Sequence, residues 1–332
     1  MKMTSEQKMK AMVAQGYGAP KVLQLEEVAI PKVKPGFILI KAEVSSATRA
    51  DAMMRTGTPY IARLFTGLRK PKIPIPGTGY AGTVAAVGEG VSNFTVGERV
   101  FGETTLGFSA NAEYILVPQD DVIMPLPASI SFAEAAPLCD GALTSVNFLK
   151  EVGKIESGHS VLINGASGAL GVSAVQLAKY YGAKVTAVCS TRNIGLVKSL
   201  GADEVIDYTK EDFSDRKASF DLIYDTVGKS SYSQSKNALK ADGVYLSPVM
   251  SLGLLVRMML TAAFSSKKAV FAATGLLKAP ELRGMLAHLL EVIAEGKHKT
   301  IIDRQFPLEK LAEAHTYIDA GHKKGNIVIT HS

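Results

Sequence analysis

The feature that most constrains this chain is a turn of small residues between an apolar strand and an amphipathic helix. Val161-Leu162-Ile163-Asn164 reads as the strand, and Val172-Ser173-Ala174-Val175-Gln176-Leu177-Ala178 as the helix. Between them lies Gly165-Ala166-Ser167-Gly168-Ala169-Leu170-Gly171. The fingerprint is Ala166-x-Gly168-x-x-Gly171, with Gly165 just before it, in the strand–turn–helix context that a dinucleotide-binding unit requires. Small side chains let the backbone approach a pyrophosphate, and the helix N-terminus adds free N–H groups and partial positive charge. Gly165, Ala166, Ser167, Gly168, Ala169, Leu170 and Gly171 are therefore the expected cofactor contacts of this turn.

The rhythm around the turn fixes the fold class. Residues 161–164, 184–188, 204–206, 220–224, 244–247 and 269–273 read as strands, and 169–181 and 196–200 as helices. Strands alternating with helices predict a doubly wound parallel sheet. The first ~130 residues differ: runs such as 37–44 and 81–87 are bounded by Pro35-Gly36, Pro76-Gly77 and Gly88-Glu89-Gly90. They predict a compact, mostly antiparallel, barrel-like domain. Near the end, 281–296 and 308–315 read as helices and 325–330 as a last strand.

The end of the second strand separates the two dinucleotides. A carboxylate there would bind a ribose hydroxyl and repel a 2′-phosphate. Cys189-Ser190-Thr191-Arg192-Asn193 holds no carboxylate. Ser190, Thr191 and Arg192 suit a phosphate, so NADPH is the expected cofactor. Tyr208 either reaches that phosphate or packs at a strand end. Asp225-Thr226-Val227-Gly228 follows the fourth strand at its carboxyl edge, where ligands bind in such sheets. Asp225, Val227 and Gly228 are accordingly further cofactor candidates.

Composition narrows the remaining classes. The chain has 332 residues and a net charge of +6, without a basic cluster interleaved with aromatics, so no nucleic-acid partner is expected. Cys139 and Cys189 have no metal-ligand spacing, which suits a reducing, cytoplasmic setting. The first ten residues show no signal-peptide pattern. The longest apolar stretch, 249–264, falls short of the ~20 residues of a membrane span and reads as a core or interface segment. Its Leu254, Leu255, Met258, Met259 and Phe264 would make an adaptable apolar wall, or simply a buried helix.

Taken together, the motifs resemble the medium-chain dehydrogenase/reductase superfamily, in its zinc-independent quinone oxidoreductase-like branch. The resemblance rests on Tyr17-Gly18-Ala19-Pro20, Gly77-Thr78-Gly79-Tyr80-Ala81-Gly82, Val96-Gly97-Glu98-Arg99-Val100, the 164–171 turn, residues 199–208 and His322-Lys323-Lys324-Gly325-Asn326-Ile327-Val328-Ile329. It implies a GroES-like β-barrel catalytic domain of residues 1–128, completed by 279–332, around a Rossmann NADP-binding domain of residues 129–278. It also implies a homodimer, Thr144 near the nicotinamide, and a cofactor contact at Asn326, where the family often carries lysine.

The positions that hold catalytic zinc in similar alcohol dehydrogenases match Thr48, Thr78 and Asp140. Only Asp140 is a zinc-ligand type, so no metal is expected. Without zinc to stabilise an alkoxide, reduction of a conjugated carbonyl is favoured over alcohol oxidation. The expected substrate is a small apolar electrophile: a quinone or an α,β-unsaturated carbonyl. Tyr60 matches a substrate-facing tyrosine of similar quinone reductases and is the candidate catalytic hydrogen-bond or proton donor. Thr48 and Asp51 are candidate lining residues. Two alternatives remain open: an NADPH-binding sensor or adaptor with little catalysis, and an alcohol dehydrogenase.

Overall fold

The computed structural model describes residues 7–58, 60, 63–104 and 109–331. Residues 1–6, 59, 61, 62, 105–108 and 332 lie outside the described residues. Up to residue 140 the elements are β1 (Lys8–Ala14), β2 (Leu23–Ala29), β3 (Phe37–Ala47), α1 (Arg49–Thr56), α2 (Arg63–Thr66), β4 (Gly79–Val87), β5 (Arg99–Glu103), β6 (Tyr114–Pro118), β7 (Val122–Pro125) and α3 (Phe132–Ala135). The middle holds α4 (Gly141–Val146), β8 (Ser160–Asn164), α5 (Ala169–Tyr180), β9 (Lys184–Cys189), α6 (Ile194–Ser199), β10 (Glu204–Asp207), β11 (Phe220–Asp225), α7 (Tyr232–Ser235), β12 (Leu239–Ser247), α8 (Leu252–Phe264) and β13 (Lys268–Phe271). The tail adds α9 (Ala279–Ala294), β14 (Ile302–Pro307), α10 (Leu311–Asp319) and β15 (Asn326–Thr330). Two compact units result. One contains Met1–Asp140, Lys278–Gly284 and Ile302–Ser332; the other contains Gly141–Leu277 and Met285–Ile301.

In the first unit, β3 is the hub of a seven-stranded sheet ordered β14-β15-β3-β4-β5-β7, with β6 also on β3. Its Ile38, Leu39 and Ile40 are all fully buried, so both faces of this strand are covered. One face joins a core of Tyr80, Val84, Val100, Ile115 and Ile123. The pairing is antiparallel except between β14 and β15. Because β15 inserts between β14 and β3, the end of the chain completes a sheet begun near its start. His331 holds that end, with its Nε2 2.8 Å from Ser45 Oγ and its Nδ1 2.9 Å from the Ala112 carbonyl.

The second unit is the parallel sheet predicted from the βα rhythm, ordered β10-β9-β8-β11-β12-β13. Chain order reverses on either side of β8, which makes its carboxyl end the ligand-binding switch point of such sheets. The core packs Leu162, Val188, Ile206, Phe220, Ile223 and Tyr245.

Of the readings open for the apolar stretch 249–264, a plain buried helix is not what the structure shows. The stretch does form a helix, α8, but only Leu254 and Thr261 are buried. Thr261 Oγ1 accepts from Ala269 N at 3.0 Å and Met258 Sδ from Phe271 N at 3.5 Å, fixing that side on β13. The opposite side is equally apolar and stays exposed.

Candidate functional site

The dinucleotide turn has the geometry that its sequence implies. Gly165 takes a left-handed φ of 78°, and its N–H and that of Ala166 both donate to Val188 O. Gly171 sits where a Cβ would lie 2.2 Å from Gly165 O, so the first turn of α5 can press onto the end of β8 only with glycine there. Gly168 is the N-cap of α5 and brings no side-chain cap. Leading N–H groups of that helix are therefore left for an anion.

Neighbouring loops converge on this turn. Asn193 Nδ2 donates to Ser167 Oγ at 2.8 Å. Asn193 Oδ1 is a buried acceptor without a partner among the described residues. Sequence reasoning missed Asn193, because 26 residues separate it from Ser167. Thr226 Oγ1 donates to Asn164 O at 2.7 Å, and Val227 packs against Gly165, where an added Cβ would lie 2.6 Å from it. Asp225 is fully buried and organises this second turn. One oxygen accepts from Asn164 Nδ2 and Gly228 N, both at 3.0 Å; the other accepts from Ser230 N and Tyr245 OH, both at 2.9 Å. Its carboxylate thus aims the Val227–Gly228 backbone. Beside α5, Thr144 is half-buried on α4, and its neighbour Ser145 places Oγ 3.0 Å from Leu170 O.

Parallel pairing of β9 with β10 brings together Ser190, Thr191, Arg192 and Tyr208, with Cys189 opposite Asp207. Asp207, at the end of the next strand, brings a carboxylate to this edge whose oxygens are taken up by hydroxyls of the chain. It accepts from Thr191 Oγ1 at 2.5 Å and from Thr209 Oγ1 at 2.8 Å. The Thr191 bond, then the Thr209 bonds and the Lys210 charge, hold it below the usual carboxylate range against a smaller desolvation effect. Thr191 has committed its proton to Asp207, while Ser190, Arg192 and Tyr208 carry further donor groups at this edge. Arg192 and Tyr208 are exposed.

Fit to a nicotinamide dinucleotide is good on these observations. The uncapped α5 N-terminus matches a pyrophosphate, and the orphaned Asn193 Oδ1 matches a ligand hydroxyl.

In the first unit, Thr48 and Asp51 form a capping box at the start of α1. Thr48 N and Oγ1 each donate to Asp51 Oδ2 at 2.8 Å, and Asp51 N donates back at 3.0 Å. Both residues are buried, at 4% and 1% exposure. Burial raises the Asp51 carboxyl to about 7 despite the Thr48 bonds. Burial likewise raises Asp140, and pushes Glu103 up to about 8 with added repulsion from Asp140 and Asp51. Burial lowers the Lys323 ammonium, which Asp140 partly restores. Three carboxyls and one ammonium therefore share this interior; burial raises every one of the carboxyls, Asp51 to about 7 and Glu103 to about 8. Glu103 and Lys323 carry no sequence signal that would have grouped them with Asp51.

Zinc does not fit the positions matched to it. Thr48 Oγ1 is engaged in the cap, Thr78 offers only a hydroxyl, and Asp140 is a single carboxyl biased toward its neutral form. That donor set does not make a three-ligand zinc site. Tyr60 is 73% exposed. The Arg63 guanidinium lies between two rings, 4.7 Å from Tyr60 and 4.4 Å from Tyr17. Asn326 is buried in β15, in the first unit.

Comparison with known proteins adds family evidence. Residues 34–128 match the alcohol dehydrogenase GroES-like domain, and residues 200–329 match the zinc-binding dehydrogenase family. The latter span contains none of Thr48, Thr78 and Asp140. The chain is 35% identical over 333 residues to a 2-methylene-furan-3-one reductase of Solanum lycopersicum, covering 97% of this chain and 79% of the relative. It is 30% identical over 340 residues to the chloroplastic NADPH-dependent alkenal/one oxidoreductase of Arabidopsis thaliana, with coverage of 97% and 79%. Among solved structures, the quinone oxidoreductase from Coxiella burnetii superposes with a TM-score of 0.87 at 28% identity, covering 98% of this chain and 99% of that one.

Proposed function

The chain belongs to the medium-chain dehydrogenase/reductase superfamily, in the quinone oxidoreductase-like branch of that oxidoreductase family, and on that premise we propose a zinc-independent, NADPH-dependent reductase of quinones and α,β-unsaturated carbonyls. The observation that carries this reading is the Thr48–Asp51 capping box. It ties up the hydroxyl where similar zinc enzymes place their first ligand. A carbonyl conjugated to a double bond accepts hydride at carbon and spreads the charge, so a hydrogen bond and a proton suffice at the oxygen.

The bound nicotinamide supplies the hydride. The chain's own residues do the rest. Gly165 to Gly171 and the Val227–Gly228 turn receive the dinucleotide, and Thr144 flanks the helix start. Ser190, Arg192 and Tyr208 select the 2′-phosphate. Asn326 supplies an amide where the family often carries lysine. We assign the hydrogen bond and proton at the substrate oxygen to the Tyr60 phenol, whose ring lies under the Arg63 cation. Thr48 and Asp51 are positioning residues, because the cap fixes the start of the helix that leads toward Tyr60. Residues 1–128 with 279–332 carry the substrate side in this reading, and 129–278 carry the cofactor.

A homodimer is the assembly we assign, supported by the open edge that β13 gives the parallel sheet. Two unpaired, buried cysteines support a reducing, cytoplasmic setting.

The test is NADPH oxidation against a panel of quinones, enones, aldehydes and alcohols, with and without a metal chelator. Quinones or enones should turn over, unaffected by the chelator, and NADPH should be preferred to NADH. Tight NADPH binding without turnover would instead indicate a sensor or adaptor. One zinc per chain with alcohol oxidation would indicate an alcohol dehydrogenase.

A further inference from the structure

Positive charge and exposed apolar surface are concentrated in the same two spans of this chain. Residues 52–88 and 243–280 contain nine basic residues and no acidic one, while the rest of the chain has 28 basic against 31 acidic residues. Only Arg55 among the nine pairs with a carboxylate in the described residues, that of Asp319. Of the sixteen large apolar side chains exposed among the described residues, twelve fall in these spans and eight of those in 243–280.

In the second span the exposed side chains form a stripe on α8. Leu252, Val256, Met259, Leu260 and Phe264 recur at helical spacing and stand opposite Leu254 and Thr261, which face the sheet. Leu252, Met259 and Phe264 are 84%, 65% and 86% exposed. A helix apolar on both sides is one whose outer side is covered by something. Arg257 is exposed on the same helix, and Lys268 Nζ donates to Thr261 O at 2.9 Å at the end of the helix.

We propose that the outer face of α8 docks on an anionic phospholipid bilayer, lying in the interface plane. The helix has 13 residues, about 20 Å at 1.5 Å per residue, too short to cross a bilayer and long enough to lie on one. Phospholipid phosphates meet Arg257 and the lysines that follow the helix, in a stretch of sequence without acidic residues, and acyl chains take the stripe. A second copy is the weaker occupant, because a two-fold contact places Arg257 and the basic stretch around it against their own like charge. Apolar quinones concentrate in bilayers, so docking would bring the enzyme to its substrate. That last clause rests on the reductase reading; docking itself does not.

The test is sedimentation of the full-length protein with vesicles of phosphatidylcholine, alone or mixed with phosphatidylglycerol. It requires no turnover, so its outcome is separable from that of the reductase assay. The protein should pellet with the mixed vesicles, remain in solution with the neutral ones, and be released by salt. Leu252→Glu with Leu260→Glu should lower the bound fraction at least tenfold at an unchanged thermal midpoint. Because the chain contains no tryptophan, Leu260→Trp gives a single reporter whose emission should shift to the blue on mixed vesicles. The proposal is overturned if the wild type ignores anionic vesicles, if the emission of the Leu260→Trp reporter does not move, if the double variant binds as well as wild type, or if that variant dissociates an oligomer by light scattering.

Discussion

Asn193 Nδ2 donates to Ser167 Oγ at 2.8 Å, joining the loop after β9 to the dinucleotide turn after β8. The bond holds the turn's one hydroxyl side chain and leaves Asn193 Oδ1 buried and free to accept from a ligand. Asn193→Ala removes both. Loss of one net hydrogen bond of about 1 kcal/mol predicts a roughly fivefold weaker NADPH. Calorimetric titration measures it. An unchanged affinity would mean that the turn holds its shape without this tie.

Arg192 tests cofactor choice separately. Its guanidinium is exposed beside Ser190 and Tyr208, while Thr191 is engaged by Asp207. A charge-assisted bond to a phosphate contributes about 1.5–3 kcal/mol. Arg192→Ala should therefore weaken NADPH at least tenfold and leave NADH within about twofold. Equal losses for both cofactors would remove Arg192 from the 2′-phosphate site.

Local pattern made much of the second unit legible, and distance in sequence hid the rest. The strand–turn–helix from Val161 to Ala178 announces itself, because chain neighbours make it. Asp207 does not, because it becomes the neighbour of Thr191 only through the β9–β10 register. The same holds for Glu103 and Lys323, which share the interior of Asp51 and Asp140 although far apart in the chain. The short strands β5, β6 and β7 carry too few residues for a period to show. The stretch that forms α8 misled for another reason. Both its faces are apolar, so hydropathy alone points to burial, and only the exposed Leu252 and Phe264 reveal an open side.

Gly171 gives a stability prediction. A Cβ there would lie 2.2 Å from Gly165 O and 2.6 Å from Ala166 C, both backbone atoms that cannot rotate away. Gly171→Ala should cost about 3 kcal/mol, the upper end for overpacking. In a unit of this size that lowers the thermal midpoint by roughly ten degrees. Scanning calorimetry checks it, and a midpoint within about two degrees of wild type would show that α5 can move off β8 freely.

Asp51 makes stability depend on pH. Burial lifts its carboxyl from 3.8 to about 7, outweighing the Thr48 bonds that favour the charged form. The folded chain therefore holds a proton that the unfolded chain releases. This stabilisation is complete below the unfolded value and is lost as pH rises through about 7. Linkage gives a loss of about 1.4 kcal/mol between about pH 6 and about pH 8. Glu103, raised to about 8 mainly by burial, extends the loss to higher pH. His298, His315 and His331 act at the acid end: burial lowers each from 6.5 to about 4, so their stabilisation is present above 6.5 and is lost as pH falls through about 4. Asp51→Asn keeps an acceptor for the Thr48 donors and carries no titrating proton. It should flatten the neutral-to-alkaline limb and leave the acid limb in place. Urea unfolding at the two pH values measures the difference, and a variant retaining the wild-type slope would show that Asp51 is already ionised at neutral pH.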